Sequence, residues 1–197
     1  MTQTADPSIP LSVDELQGTL ASLDLEAVES CRRQIAEARD RGSRIFLCGN
    51  GGSAATASHM ANDLGKGASL GLPREQRFRV TALTDNVPWM TALANDVDYG
   101  SIFAEQLRNL GEADDLLIAI SGSGNSANVL NAVAAARELG MRTIAWTGFG
   151  GGWLAEAADL AVVVDSHHMG RVEDLHTVLM HVICYYFMEM EPAGGAA

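Results

Sequence analysis

Two short segments of the chain carry groups suited to holding an anion. Gly49-Asn50-Gly51-Gly52-Ser53 and Ser121-Gly122-Ser123-Gly124-Asn125-Ser126 combine glycines with hydroxyl and amide side chains. Glycine lets the main chain approach a ligand closely, and the N–H groups at a helix start add partial positive charge. Asn50, Gly51, Gly52 and Ser53 therefore read as a cradle for a phosphate or a sugar hydroxyl, with a plain tight turn as the simpler alternative. Ser121, Gly122, Ser123 and Ser126 add three hydroxyls, which can hold a phosphate monoester through directional bonds from neutral donors. A second set of groups is ionisable. His59 and Asp63 share one helix face at a spacing of i, i+4. Such a pair more often makes a solvent-facing hydrogen bond than a ligand set. Glu173 and His181 stand eight residues apart, close to one stripe of the last helical segment, with Thr177 between them and His176 off the stripe. An imidazole inside Val178-Leu-Met-His181-Val-Ile needs a partner, so His181 is either a satisfied core residue or a site residue.

Elements are needed to bring these groups together. Ser12 is expected to cap a short helix through Leu23, and Leu25 to Arg41 places Leu25, Val28, Cys31, Ile35 and Ala38 at helical spacing. Five β-rich runs follow: Arg44 to Cys48, Phe78 to Thr84, Asp115 to Ser121, Arg142 to Thr147 and Leu160 to Asp165. They alternate with helical patterns, and runs as apolar as Leu116-Leu-Ile-Ala-Ile120 suit strands buried on both faces. Right-handed βαβ crossovers then give an α/β domain with a parallel sheet covered by helices. Ligands of such sheets bind beyond the carboxyl ends of the strands, where both Gly/Ser loops fall. Ser53 is expected to cap the helix starting near Ala54, and Ser126 precedes a helix from Ala127 to Leu139. One domain is expected over residues 11–191, with residues 1–10 and 192–197 as flexible ends.

Composition narrows the functions. The chain has 197 residues, 47% hydrophobic and 19% charged, which suits one folded domain. A net charge of −12 disfavours nucleic acid and anionic membrane surfaces as partners. Cys31, Cys48 and Cys184 show no C-x-x-C spacing, so they read as core residues of a cytoplasmic protein. No apolar run approaches the length of a membrane span, and no membrane association is expected. Both Gly/Ser loops also satisfy G-x-G-x-x-[GA], the dinucleotide fingerprint. Its acidic partner is due about 20 residues on, yet the acid at the end of the second strand, Asp85, lies more than 30 residues beyond Gly51. No nucleotide cofactor is expected.

Several motifs in one register resemble a known family: Cys48-Gly-Asn-Gly-Gly-Ser, His59-Met-Ala-Asn-Asp63, Ala94-Asn-Asp96, Ile120-Ser-Gly-Ser-Gly-Asn-Ser-Ala-Asn-Val129 and Trp146-Thr-Gly148. They look like the sugar isomerase (SIS) fold and, within it, the phosphoheptose isomerases. The likeness runs from about Leu11 to Met190. It implies a flavodoxin- or Rossmann-like five-stranded parallel sheet, N-terminal helices used in oligomerisation, and a homotetramer. It also implies conversion of D-sedoheptulose 7-phosphate to D-glycero-D-manno-heptose 7-phosphate through an enediol, a step of heptose biosynthesis. The alternatives are an isomerase for another phosphosugar, or a non-catalytic SIS protein that senses phosphosugars or binds protein partners. The resemblance assigns a divalent metal, usually zinc, to His59, Asp63, Glu173 and His181. It assigns the base to Asp63 and the acid to His181, with Glu173 as the other candidate base, because a coordinated carboxylate is a weaker base. Asn95 and Asp96 match positions that contact sugar hydroxyls, although a helix-end cap explains Asp96 equally well. Three positions depart from the family pattern: Asp63 replaces the usual Glu, Glu173 the usual Gln, and Gly170 an Asp before Arg171. Eight helical residues span about 12 Å, so His59, Asp63 and His181 form the tighter ligand set.

Overall fold

The computed structural model describes residues 9–190; of the two expected flexible ends, 192–197 and residues 1–8 lie outside them, whereas Ile9 and Pro10 belong to the first helix. The first helix, α1 (Ile9–Ala21), starts ahead of Ser12, so that serine lies within the helix and does not cap it. Helix α2 (Leu25–Arg41) begins at Asp24, whose carboxylate accepts from the N–H groups of Glu26 and Ala27, and stops at Gly42 with φ of 70°. Its buried face is Val28, Cys31, Ile35 and Ala38, four of the five residues the periodicity predicts; the fifth, Leu25, lies in the first turn and is exposed.

Strand β1 (Arg44–Gly49) leads into α3 (Gly52–Asn62), which passes into a π-helical turn at Asp63–Gly67. Then come β2 (Arg79–Ala82), α4 (Val87–Asp96), α5 (Ala104–Leu110), β3 (Leu116–Ser121) and α6 (Ala127–Glu138). The chain continues through β4 (Arg142–Thr147), α7 (Gly152–Ala157), β5 (Leu160–Val163) and α8 (Met169–Tyr185). A second π-helical turn, Tyr186–Met190, ends the described chain. All strand pairs are parallel, in the order β2-β1-β3-β4-β5. Strands β2 and β5 are shorter than their apolar runs because each lies at an edge and has a ladder on one side only.

One face of the sheet presents Ile45, Leu47, Ile118, Ile120, Ile144 and Trp146 to α2, α3 and α8. The other presents Phe46, Cys48, Leu117, Ala119 and Ala145 to α5, α6 and α7. This alternation follows from the period of two along each strand. The three cysteines are free and buried, and burial pushes the thiols of Cys31 and Cys48 up to about 12, so neither is a thiolate at neutral pH. The strand order reverses between β1 and β3, where α3 leaves on one face and α6 on the other. Gly49 of β1 is in register with Ile120 of β3, so the two Gly/Ser loops emerge side by side at the switch point.

Candidate active site

A cavity of about 190 Å³ opens between the two loops. It is lined by Asn50, Ser53, Ser121, Gly122, Ser123, Ser126, Met169 and Glu173. The loop after β1 turns at Gly51, with φ of 54°, and α3 begins at Gly52. Ser53 therefore sits inside the first turn and does not cap the helix; its buried side chain faces the cavity instead. The turn has no room for a side chain at Gly49, where a Cβ would stand 2.9 Å from the carbonyl oxygen of Ile120. On the opposite wall the Ser121 hydroxyl donates to Ser126 Oγ at 3.1 Å. The loop is braced from behind at Gly124, where a Cβ would fall 2.0 Å from the carbonyl oxygen of Gly151. The two loops offer hydroxyls, one amide and main-chain N–H groups, α8 adds the Glu173 carboxylate and the Met169 thioether, and among the described residues no cationic side chain lines the cavity. That composition suits a phosphate held at two helix starts.

A second cavity, about 300 Å³, is lined by Gly52, Ala55, Thr56, His59, Glu173, Asp174 and Thr177. Glu173 lines both cavities. Its carboxylate lies against Gly52, where a Cβ would come within 2.6 Å of it, so a side chain at that position would displace the end of Glu173. Behind His59 stand Asp63, with Oδ2 3.6 Å from His59 Nε2, and His181, whose ring meets that of His59 edge-on at 4.9 Å. One donor atom from each of the three lies within 4.8 Å of the others. Two imidazoles and a carboxylate are a donor set suited to a divalent ion, whose N and O ligands stand about 2.0–2.2 Å away; donor atoms up to 4.8 Å apart must draw together to share one. Asp63 is buried and His59 exposed, so one side of the cluster is open. Glu173 is not part of this cluster. Asp63 is the first residue of a π-helical turn, a local distortion that frequently occurs at functional sites.

The remaining site residues are more dispersed. Asn95 and Asp96 end α4, are exposed, bond to each other at 2.7 Å, and line neither cavity. His167 and His168 are exposed, and His168 caps α8 by accepting the Arg171 N–H at 3.4 Å. Gly170 faces a groove toward α1, beside Val13 and Leu16. His176 is fully buried, with Nε2 3.3 Å from the Thr147 carbonyl oxygen, and burial pushes its pKa down to about 4. Two residues absent from the sequence-derived set touch the cradle through Asn50: Asn128 and Tyr99. Asn128 belongs to the quoted Ser/Gly motif, whereas nothing in the sequence singles out Tyr99.

A family profile described as the SIS domain matches residues 12–148. The phosphoheptose isomerase of Aliarcobacter butzleri is 41% identical over 162 residues, covering 81% of this chain and 82% of that protein. The chain belongs to the phosphoheptose isomerase family. The solved phosphoheptose isomerase from Francisella tularensis superposes with a TM-score of 0.83 at 30% identity, covering 91% of this chain and 94% of that one. The one from Neisseria gonorrhoeae gives 0.80 at 33% identity, covering 90% and 93%. Within this phosphoheptose isomerase fold the three departures separate in space. Asp63 is in the histidine cluster, Glu173 is on the wall between the cavities, and Gly170 is in the groove toward α1.

Proposed function

We propose that this chain is an aldose–ketose isomerase converting D-sedoheptulose 7-phosphate to D-glycero-D-manno-heptose 7-phosphate, the activity its relatives' names suggest. The observation that carries this reading is the shared wall. Glu173 borders a phosphate-sized cradle on one side and, on the other, a cavity that runs to His59. A phosphate among Ser53, Ser121, Ser123 and Ser126, with Asn50, Gly51, Gly52 and Gly122 shaping the loops, directs the sugar chain past that carboxylate. The far carbonyl then meets the His59, Asp63 and His181 cluster.

In this arrangement Glu173 is the base. It takes a proton from C1 of the ketose, leaving an enediolate, and returns a proton to C2. His181 gives a proton to O2 and takes one back from O1, so the isomerisation balances with no net proton uptake. His59, Asp63 and one ring nitrogen of His181 would hold a divalent ion, zinc or another, which would supply Lewis-acid stabilisation of the developing charge, leaving the other His181 nitrogen for proton transfer. The resemblance instead makes Asp63 the base, and its position 3.6 Å from His59 supports that second reading. Glu173 is favoured because it lines both cavities and does not have to leave a ligand set to act. Asn95 and Asp96 would meet sugar hydroxyls only from the exposed end of α4.

A homotetramer is part of the proposal, supported by the exposed apolar residues Ile9, Leu11, Val13 and Leu20 of α1. Free cysteines support a cytoplasmic location, and among the described residues no helix is long and apolar enough to cross a membrane. The test is turnover of sedoheptulose 7-phosphate, followed by solvent-deuterium incorporation into the product. Binding of the sugar phosphate without turnover or exchange would favour a phosphosugar sensor, and turnover of a different phosphosugar alone would reassign the substrate.

A further inference from the structure

Asn50 is held by a network that uses nearly all of its hydrogen-bonding capacity. Its Oδ1 accepts from Tyr99 Oη at 2.9 Å and from Asn128 Nδ2 at 2.8 Å, while its Nδ2 donates to Asn128 Oδ1 at 2.8 Å. An amide oxygen has two acceptor sites and an amide nitrogen two N–H donors. The oxygen is thus saturated, and one N–H remains for the cavity that Asn50 lines. Asn128 is 3% exposed, at the start of α6, and comes from the same loop-helix junction as the cradle serines. Tyr99 reaches in from the turn Tyr99–Ser101 after α4. The network therefore spans the two loops of the cradle and ties them to a third segment.

We propose that Tyr99 and Asn128 are positioning residues that fix Asn50 as a one-way donor to the ligand oxygen in the cradle. A rotated Asn50 amide would turn its Oδ1 toward the ligand and repel a phosphate. A freely rotating one would pay the entropy of ordering at each binding event. Locking the amide removes both costs before the ligand arrives. The role acts on binding of the oxyanion and leaves the proton transfers at the other end of the sugar alone. It rests on the phosphate-cradle reading of the site.

The probe is inorganic phosphate, titrated calorimetrically into the full-length protein, alongside KM and kcat for sedoheptulose 7-phosphate. Tyr99→Phe removes one hydroxyl from an exposed side chain, so it should fold normally. It should raise the phosphate Kd and the KM about fivefold, in line with one lost hydrogen bond, and leave kcat within about twofold. Asn128→Ala should do the same more strongly. In an Asn50→Ala background Tyr99→Phe should have no effect, because its only route to the ligand is gone; a merely structural role would persist there. Tyr99→Phe with wild-type phosphate affinity, while Ser123→Ala weakens it, overturns the proposal and spares the cradle. A wild-type protein that binds neither phosphate nor the sugar phosphate overturns both.

Discussion

The cradle and the histidine cluster are both candidate working parts of one site, yet they are built in opposite ways. The cradle draws its main contacts from two short contiguous segments, 49–53 and 121–126, placed by adjacent strands whose register is set deep in the sheet. The polar side chains of these two segments are neutral, Glu173 of α8 being the one carboxylate on the cavity wall, and many are already held: Ser121 to Ser126, Asn50 to Asn128 and Tyr99. The cluster joins α3 to α8 across more than 100 residues of chain. Its Asp63 sits where α3 widens into a π-helical turn, and its carboxylate makes a long 3.6 Å approach to His59 and accepts from the neighbouring Asn62 amide at 3.0 Å. A preorganised neutral site can bind an anion as it stands. A loosely tied ionisable site, with one open side, is suited to exchanging protons or taking up an ion.

That contrast predicts that damage to the two regions will be felt in different constants. The largest effect is expected at the cluster. His181→Ala should lower kcat on the order of 10³-fold, in the range of a lost acid–base group, and remove divalent-ion affinity measured by calorimetry. Phosphate binding should be nearly unchanged. Glu173→Gln should lower kcat to a similar degree but leave ion affinity intact, since Glu173 stands outside the cluster. If Glu173→Gln retains most activity, Asp63 is the base. If His181→Ala also abolishes phosphate binding, the two regions are not independent and the comparison fails.

The complementary experiment is the triple replacement Ser121→Ala, Ser123→Ala and Ser126→Ala. Loss of several charge-assisted hydrogen bonds should raise KM about 10²-fold or more, with ion affinity retained. An unchanged KM for a phosphorylated substrate would remove the cradle from the mechanism.

The same division explains what could be read from sequence. Continuous apolar strands and Gly/Ser turns report local rules, so the sheet and both loops were legible, including α2 to its last residue. Ser53 was misplaced because a positive φ at Gly51 starts the helix earlier than a side-chain cap would, and no local signal distinguishes the two. The pairing of His59 and Asp63 follows from helical spacing, but joining them to His181 needs the packing of α3 against α8. The family resemblance supplied that join; the spacing did not. The separation of Glu173 from the cluster was visible only as a length argument, about 12 Å along α8. Tyr99 was out of reach because its bond to Asn50 connects a turn and a loop with no periodic relation.

Helix α8 serves both regions through Glu173 and His181, and its own anchoring carries a pH dependence. His176 is buried on its inner face and its pKa falls from 6.5 to about 4. The unfolded chain therefore binds this proton at higher pH than the folded one does. The stabilising contribution is complete above pH ~6.5 and declines as the pH falls toward ~4, by at most about 3 kcal/mol. Urea denaturation at pH 7.5 and pH 4.5 should show a larger loss for the wild type than for His176→Gln, whose amide can still donate to Thr147. Equal losses would mean that the buried imidazole is not a source of acid sensitivity. Carboxylate titration is common to both proteins and cancels in the comparison.

The smallest effect is expected at the departure farthest from either working region. Gly170→Asp restores the residue usual in the family, and a direct sugar contact would lower KM severalfold. The geometry argues otherwise, because Gly170 shares its groove with Ile9, Val13, Leu16 and Arg171 and lines neither cavity. A Cβ there meets His168 Cε1 at 3.2 Å, so the capping ring must shift by a few tenths of an ångström. Removing a helical glycine and placing an acid in the first turn of α8 each favour folding by about 0.5 kcal/mol or slightly more. Disturbing the long His168 cap and adding a like charge four residues before Asp174 oppose this by a similar amount. The net change in stability should stay within about 0.5 kcal/mol, and KM should stay within about twofold. A severalfold drop in KM with unchanged stability would show that position 170 reaches substrate, and that the groove beside α1 belongs to a working site completed by another copy of the chain.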